Sequence, residues 1–183
     1  MKLFVISDTH GMLGKAEEVY QRLKDVDLLV HLGDHRRDGE ELAERFGLPS
    51  ACVGGNCDGV RGRDAETVLK TEYGRIFLTH GHDYHVGYRY DDLLQRCREL
   101  DCRAAFFGHT HVPVVDEIDG IRLLNPGSLS LPRDGSDGSY AIVHAEPDRI
   151  ETAVLYYRPQ GEPPRKKPRG GFLRNLMNYS DGF

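Results

Sequence analysis

Five times along the chain a short apolar run ends on side chains able to hold a cation or move a proton. Leu3-Phe4-Val5-Ile6 leads into Asp8-Thr9-His10, Leu28-Leu29-Val30 into Gly33-Asp34, and Ala51-Cys52-Val53 into Gly54-Gly55-Asn56-Cys57-Asp58. Ile76-Phe77-Leu78 leads into Thr79-His80-Gly81-His82, and Ala104-Ala105-Phe106-Phe107 into Gly108-His109-Thr110-His111. Apolar runs of this length, bounded by glycine and polar residues, are the pattern of strands buried on both faces. Strands are therefore expected at residues 2–7, 27–32, 50–54, 75–79 and 104–107. Because open α/β sheets bind ligands beyond the carboxyl ends of their strands, one rim would collect all five polar sets.

Helical periods lie between these runs. Residues 15–23 carry Val19, Tyr20 and Leu23 on one face, residues 40–46 form a shorter helix, and in residues 90–100 Leu93, Leu94, Cys97 and Leu100 line a single stripe. Strand and helix in alternation imply right-handed crossovers. From Val112 onward, residues 112–118, 121–124, 139–145 and 150–156 read as strands joined by turns at Asp119-Gly120 and Pro147-Asp148, which predicts an antiparallel block. The two halves together predict an α/β sandwich of two sheets with helices on the outer faces.

At 183 residues the chain is long enough for one core. Residues 1–157 are assigned to a single domain and residues 158–183 to a basic Pro/Gly-rich arm. The arm holds six Lys/Arg against two Asp/Glu, so the formal charge of −5 hides an acidic body of −9. Nucleic acid is therefore not the expected partner, and the Arg165-Lys166-Lys167-Pro168-Arg169 cluster is read as a solvated tail. Phe172, Leu173, Leu176 and Met177 have helical spacing and are assigned as a segment that could dock on a second copy, making a homo-oligomer. No run approaches the roughly 18 apolar residues of a membrane span. The start lacks a secretory cleavage pattern, which predicts a soluble, cytoplasmic protein. Cys52, Cys57, Cys97 and Cys102 have no CxxC spacing and are expected to be reduced thiols.

Asp8, His10, Asp34, Asn56, His80, His109 and His111 supply two carboxylates, one amide and four imidazoles with no obligate thiolate. Such a donor set suits borderline divalent ions, manganese first, with iron, zinc, cobalt or nickel as the others, rather than calcium or magnesium alone. Seven donors exceed one tetrahedral ion and fit two ions sharing a carboxylate. Two divalent cations against two aspartates leave roughly +2, which attracts a phosphate. Paired metals about 3.5–4 Å apart clamp the attacking and leaving oxygens of an in-line displacement. Hydrolysis of a phosphoester is the reaction this predicts.

In this order the motifs DTH, GD, GGNCD, THGH and GHTH, with NPGS at Asn125–Ser128, resemble the calcineurin-like metallophosphoesterase superfamily. The resemblance covers roughly residues 1–157 and is strongest to its small single-domain bacterial and archaeal phosphodiesterases. It implies the metallo-dependent phosphatase fold, a four-layer αββα sandwich of two mixed sheets flanked by helices. It also implies one metal on Asp8, His10 and His111, a second on Asn56, His80 and His109, Asp34 bridging, and a metal-bridging hydroxide as nucleophile. Where the superfamily often has His after the motif Asn, this chain has Cys57, so Cys57, Asp58 and His82 are the candidates for the catalytic acid. The resemblance extends to a non-catalytic relative, the retromer's metallophosphoesterase-like subunit, so a protein-binding scaffold is the alternative function.

His31 and His144 lie inside apolar strands and are read as satisfied core imidazoles. His35, Arg36, Arg37 and Arg133 are read as a charged loop rim. The motif glycines are expected to allow close backbone approach or positive φ.

Overall fold

The computed structural model describes residues 1–159. The basic arm from residue 160 onward, with its expected docking segment, lies outside the described residues. No helix among the described residues is long and apolar enough to cross a membrane.

Two five-stranded mixed sheets face each other. The first has the order β10 (Ile150–Tyr156), β9 (Ser139–Ala145), β1 (Lys2–Ile6), β2 (Leu28–His31), β3 (Ser50–Cys52). Its centre is parallel, with Leu3 opposite Leu28 and Leu29 opposite Ser50, while β9 runs antiparallel to β1. The second has the order β4 (Glu66–Thr71), β5 (Gly74–Thr79), β6 (Ala104–Phe106), β8 (Ile121–Asn125), β7 (Val114–Ile118). Here β5, β6 and β8 are parallel, and an antiparallel strand covers each edge.

The period of two within each strand builds the layers. Leu3 and Val5 of β1 join Ile76, Leu78, Ala104 and Phe106 in the core between the sheets. Phe4 and Ile6 point the other way, onto Ala16 and Val19 of α1 (Gly14–Tyr20) and Leu42 and Ala43 of α2 (Arg36–Phe46). Phe77, Ala105 and Phe107 likewise meet Leu93, Leu94 and Cys97 of α3 (Asp91–Glu99). The predicted αββα layering follows. Each fully buried Leu, Ile or Phe contributes roughly 1.5–3 kcal/mol relative to exposure.

Three expectations change. The strands after Val112 form two separate hairpins, β7–β8 in the second sheet and β9–β10 in the first, because β8 pairs in parallel with β6 and β9 pairs with β1. A strand unforeseen in the sequence, β4, completes an edge beside β5. Helix α2 begins at Arg36, four residues ahead of the predicted start, which brings Asp38 into its first turn.

Candidate metal centre

The carboxyl ends of β1, β2, β3, β5 and β6 deliver Asp8 and His10, Asp34, Asn56, His80, and His109 with His111 to one rim. Five of these seven residues hold left-handed backbone: Asp8 (φ 56°), His10 (48°), Asp34 (51°), His109 (69°) and His111 (59°). Non-glycine residues rarely adopt that region, and the cost persists where the surroundings fix it, typically at functional sites. The packing is close enough to require glycine. A Cβ at Gly108 would lie 2.0 Å from Ser7 Oγ and 2.8 Å from Asp8 Oδ2.

One arm comprises Asp8, His10 and His111. These three and Asp34 each offer a ligand atom, all within 4.8 Å of one another. His10 Nε2 and His111 Nε2 are 3.4 Å apart, and Asp8 Oδ1 lies 3.3 Å from His111 Nε2. His111 Nδ1 donates to the Leu131 carbonyl at 2.6 Å, which turns Nε2 toward the arm. Asp8 Oδ2 accepts the His109 N–H at 3.1 Å. Asp8 Oδ1 is buried without a hydrogen-bond partner.

The second arm comprises Asn56, His80 and His109. Asn56 Oδ1 lies 3.1 Å from His80 Nε2 and 3.0 Å from His109 Nδ1. His80 Nδ1 donates to the Leu32 carbonyl at 2.8 Å. Asp34 stands between the arms: Oδ1 is 3.4 Å from His80 Nε2 and Oδ2 is 3.8 Å from His10 Nε2.

Charge and donor types agree with a cation site. Burial opposes the Asp34 charge, but His80 and the Cys57 N–H outweigh it and hold its carboxyl well below the usual range. Asp8 is likewise penalised by burial, yet His111, His80 and Ser7 bring it down. Burial pulls His80 and His111 downward, and the aspartates facing them reverse that and raise both. His109, dominated by burial and by His80, is lowered.

The three candidates for the catalytic acid fare differently. Asp58 is a brace: its oxygens accept the N–H groups of Gly55 (2.8 Å), Arg36 (2.9 Å) and His35 (3.1 Å), tying the Asn56 loop to the start of α2. Cys57 donates its backbone N–H to Asp34 Oδ1 at 2.9 Å, and its exposed thiol is raised by burial and then by Asp34. His82 packs 5.4 Å from the His80 ring and 6.2 Å from the His109 ring, with both ring nitrogens buried and Nε2 3.5 Å from Asp83 Oδ1. Burial lowers its pKa.

His31 is a satisfied core imidazole, as expected, bonded to Thr9 Oγ1 and the Gly33 N–H. His144 is half-buried in β9, opposite Lys2. Of the rim residues, His35 sets its ring 5.4 Å from that of His10, Arg36 pairs with Glu40, and the Arg133 N–H meets the His111 carbonyl. Sequence reasoning missed the contact between Thr9 and Asp38, which spans 29 residues.

Comparison with known proteins identifies the family. Residues 1–148 match the model of the calcineurin-like phosphoesterase superfamily domain. The chain is 33% identical over 162 residues to a probable metallophosphoesterase, YsnB, of Bacillus subtilis, covering 88% of this chain and 93% of that one. It is 30% identical over 169 residues to the phosphodiesterase YfcE of Escherichia coli K12, covering 78% and 87%. A crystal structure from Streptococcus pneumoniae TIGR4, described as a predicted phosphoesterase, superposes with a TM-score of 0.68 at 30% identity over 85% of this chain and 88% of that one. With a family model spanning residues 1–148 and a relative 33% identical over 88% of its length, the chain belongs to the calcineurin-like phosphoesterase superfamily.

Proposed function

We propose that the protein is a dinuclear metal-dependent phosphodiesterase that cleaves a P–O bond of a small substrate. The observation that carries this reading is Asp34, whose two oxygens face opposite arms of the centre. Asp8, His10 and His111 would hold one divalent cation, Asn56, His80 and His109 the other, and Asp34 both. Bound there, the cations supply Lewis acidity and a nucleophile drawn from water near neutral pH.

The chain's own residues do the rest. Asp8 and Asp34, kept ionised by the imidazoles around them, fix the negative charge that retains the cations. The carbonyls of Leu32 and Leu131 hold one nitrogen of His80 and of His111 and aim the other inward. His82 is assigned the proton of the leaving alkoxide: its ring lies 6.2 Å from that of His109, and Asp83 Oδ1, 3.5 Å from Nε2, favours its protonated form.

The test is hydrolysis of an aryl phosphodiester by protein loaded with Mn²⁺. Activity is expected to vanish on chelation and to fall at least roughly a thousandfold, about 4 kcal/mol of barrier, in Asp34→Asn and His109→Ala. Metal-replete protein without hydrolytic activity, together with a protein partner retained after alanine at Asp8 and His10, would instead establish a scaffold.

A further inference from the structure

Asp38 is absent from the donor set, yet one of its oxygens brackets a member of it. Oδ2 accepts Thr9 Oγ1 at 2.7 Å and the Gly11 N–H at 2.7 Å, the residues immediately before and after His10. Asp38 reaches that position from the first turn of α2 and is only 8% exposed. The helix can lie so close to β2 because its next residue is Gly39, where a Cβ would stand 2.5 Å from His31 Cβ and 2.8 Å from Cys52 Sγ.

His31 extends the bracket to the neighbouring loop. The Gly33 N–H donates to Nδ1 at 3.3 Å, so the ring proton sits on Nε2 and is given to Thr9 Oγ1 at 2.9 Å. Thr9 in turn gives its hydroxyl proton to Asp38. Burial keeps this imidazole neutral, its pKa pushed down to about 4, which preserves the direction of donation. Through Gly33 on one side and Thr9 and Gly11 on the other, the loops bearing Asp34 and Asp8 end on one carboxylate.

The bracket has a strain to hold. Asp8 and His10 both occupy the left-handed region, a cost of order 1 kcal/mol per residue for an L side chain. Without Asp38, Thr9 Oγ1 loses its acceptor and the Gly11 N–H its partner. The loop is then free to relax and carry His10 away from His111.

The geometry points to Asp38 as a positioning residue for His10: by fixing the residues on both sides it forms the Asp8–His10–His111 arm before a cation arrives. This assignment rests on the reading of the centre as a cation site. Outer partners that orient ligands typically account for about 10–100-fold in metal affinity.

The experiment titrates the metal-free full chain with Mn²⁺ by calorimetry, in wild type, Asp38→Ala, Asp38→Asn and Thr9→Val. Asp38→Ala is expected to weaken one ion about 10–100-fold and to leave the other within about threefold. Asp38→Asn, whose amide oxygen still accepts both bonds, recovers most of that loss, which a general packing role would not predict. Thr9→Val shows a smaller loss in the same direction and carries the test if Asp38→Ala does not fold. Amide exchange adds a readout independent of any ion: the Gly11 N–H loses protection in Asp38→Ala. Unchanged ion affinities in the variants, or unchanged Gly11 exchange, overturn the positioning role and leave the cation reading intact. Wild-type protein that takes up no ion removes the cation reading and with it the role of Asp38 in ion binding, an outcome identified by the wild-type titration alone.

Discussion

The two arms of the centre draw on the same kind of strand-end residue but differ in what their polar atoms do without a cation. On the Asn56 side the amide oxygen meets nitrogens of both His80 and His109, so the arm closes on itself. On the Asp8 side a buried carboxylate oxygen makes no hydrogen bond and faces the His111 ring, 3.3 Å away, and at most one proton lies between the His10 and His111 nitrogens, 3.4 Å apart. An amide can satisfy itself with neighbouring N–H groups, whereas a desolvated carboxylate keeps a charge that only a cation or a proton offsets. The Asp8 arm therefore has the greater need for an ion, and the Asn56 arm has the greater tolerance of its absence.

Asp8→Asn gives the largest expected effect and the sharpest test of this asymmetry. Because breaking a buried charged contact costs roughly 3–5 kcal/mol, one ion should weaken by about a thousandfold, whereas Asn56→Ala should weaken the other by only about tenfold. Equilibrium dialysis with Mn²⁺ measures both, and equal losses would break the comparison.

Next comes the imidazole behind the Asp8 arm. His31 is neutral in the folded protein down to about pH 4, while the unfolded chain takes up the proton near pH 6.5. The unfolded state thus binds more protons between these values, and stability falls as pH drops through that window, by up to about 3 kcal/mol. His80 and His111, raised in the folded state, act in the opposite sense, adding stability at low pH that is lost on going up. The His31 contribution is therefore read as the difference between metal-free wild type and His31→Gln in urea unfolding at pH 7, 5.5 and 4. A difference that does not change with pH would show that His31 titrates normally.

The smallest effect is expected on the Asn56 side. Cys57 supplies Asp34 with a backbone N–H that any residue keeps, and its thiol, raised by burial and by Asp34, stays protonated near neutrality. Cys57→Ser should alter kcat/KM of the metal-loaded protein by less than about threefold, under 1 kcal/mol. A hundredfold loss would restore the thiol as a catalytic group.

Much of this was legible in one dimension, for identifiable reasons. Strands buried on both faces announce themselves as unbroken apolar runs, and β9 and β10 have the predicted bounds, 139–145 and 150–156. β4 escaped notice because Glu66–Thr71 is an edge strand whose side chains are at most partly buried, so no apolar run marks it. The start of α2 was hidden because the N–H groups at its beginning are capped by Asp58, more than twenty residues away. Asp58 itself looked like a free acid beside the centre for the same reason: its three partners are backbone atoms that sequence does not name.

The order of residues alone determined which side chains could meet a cation and at which strand ends they stand, since strand periodicity and the polarity of a parallel sheet are local properties. Only the tertiary structure decided which carboxylate oxygen lacks a hydrogen bond, that Asp58 braces the Asn56 loop and that Asp38 brackets His10. Those outcomes depend on distances between segments far apart in the chain, set by how helices and sheets pack, and no local pattern encodes them.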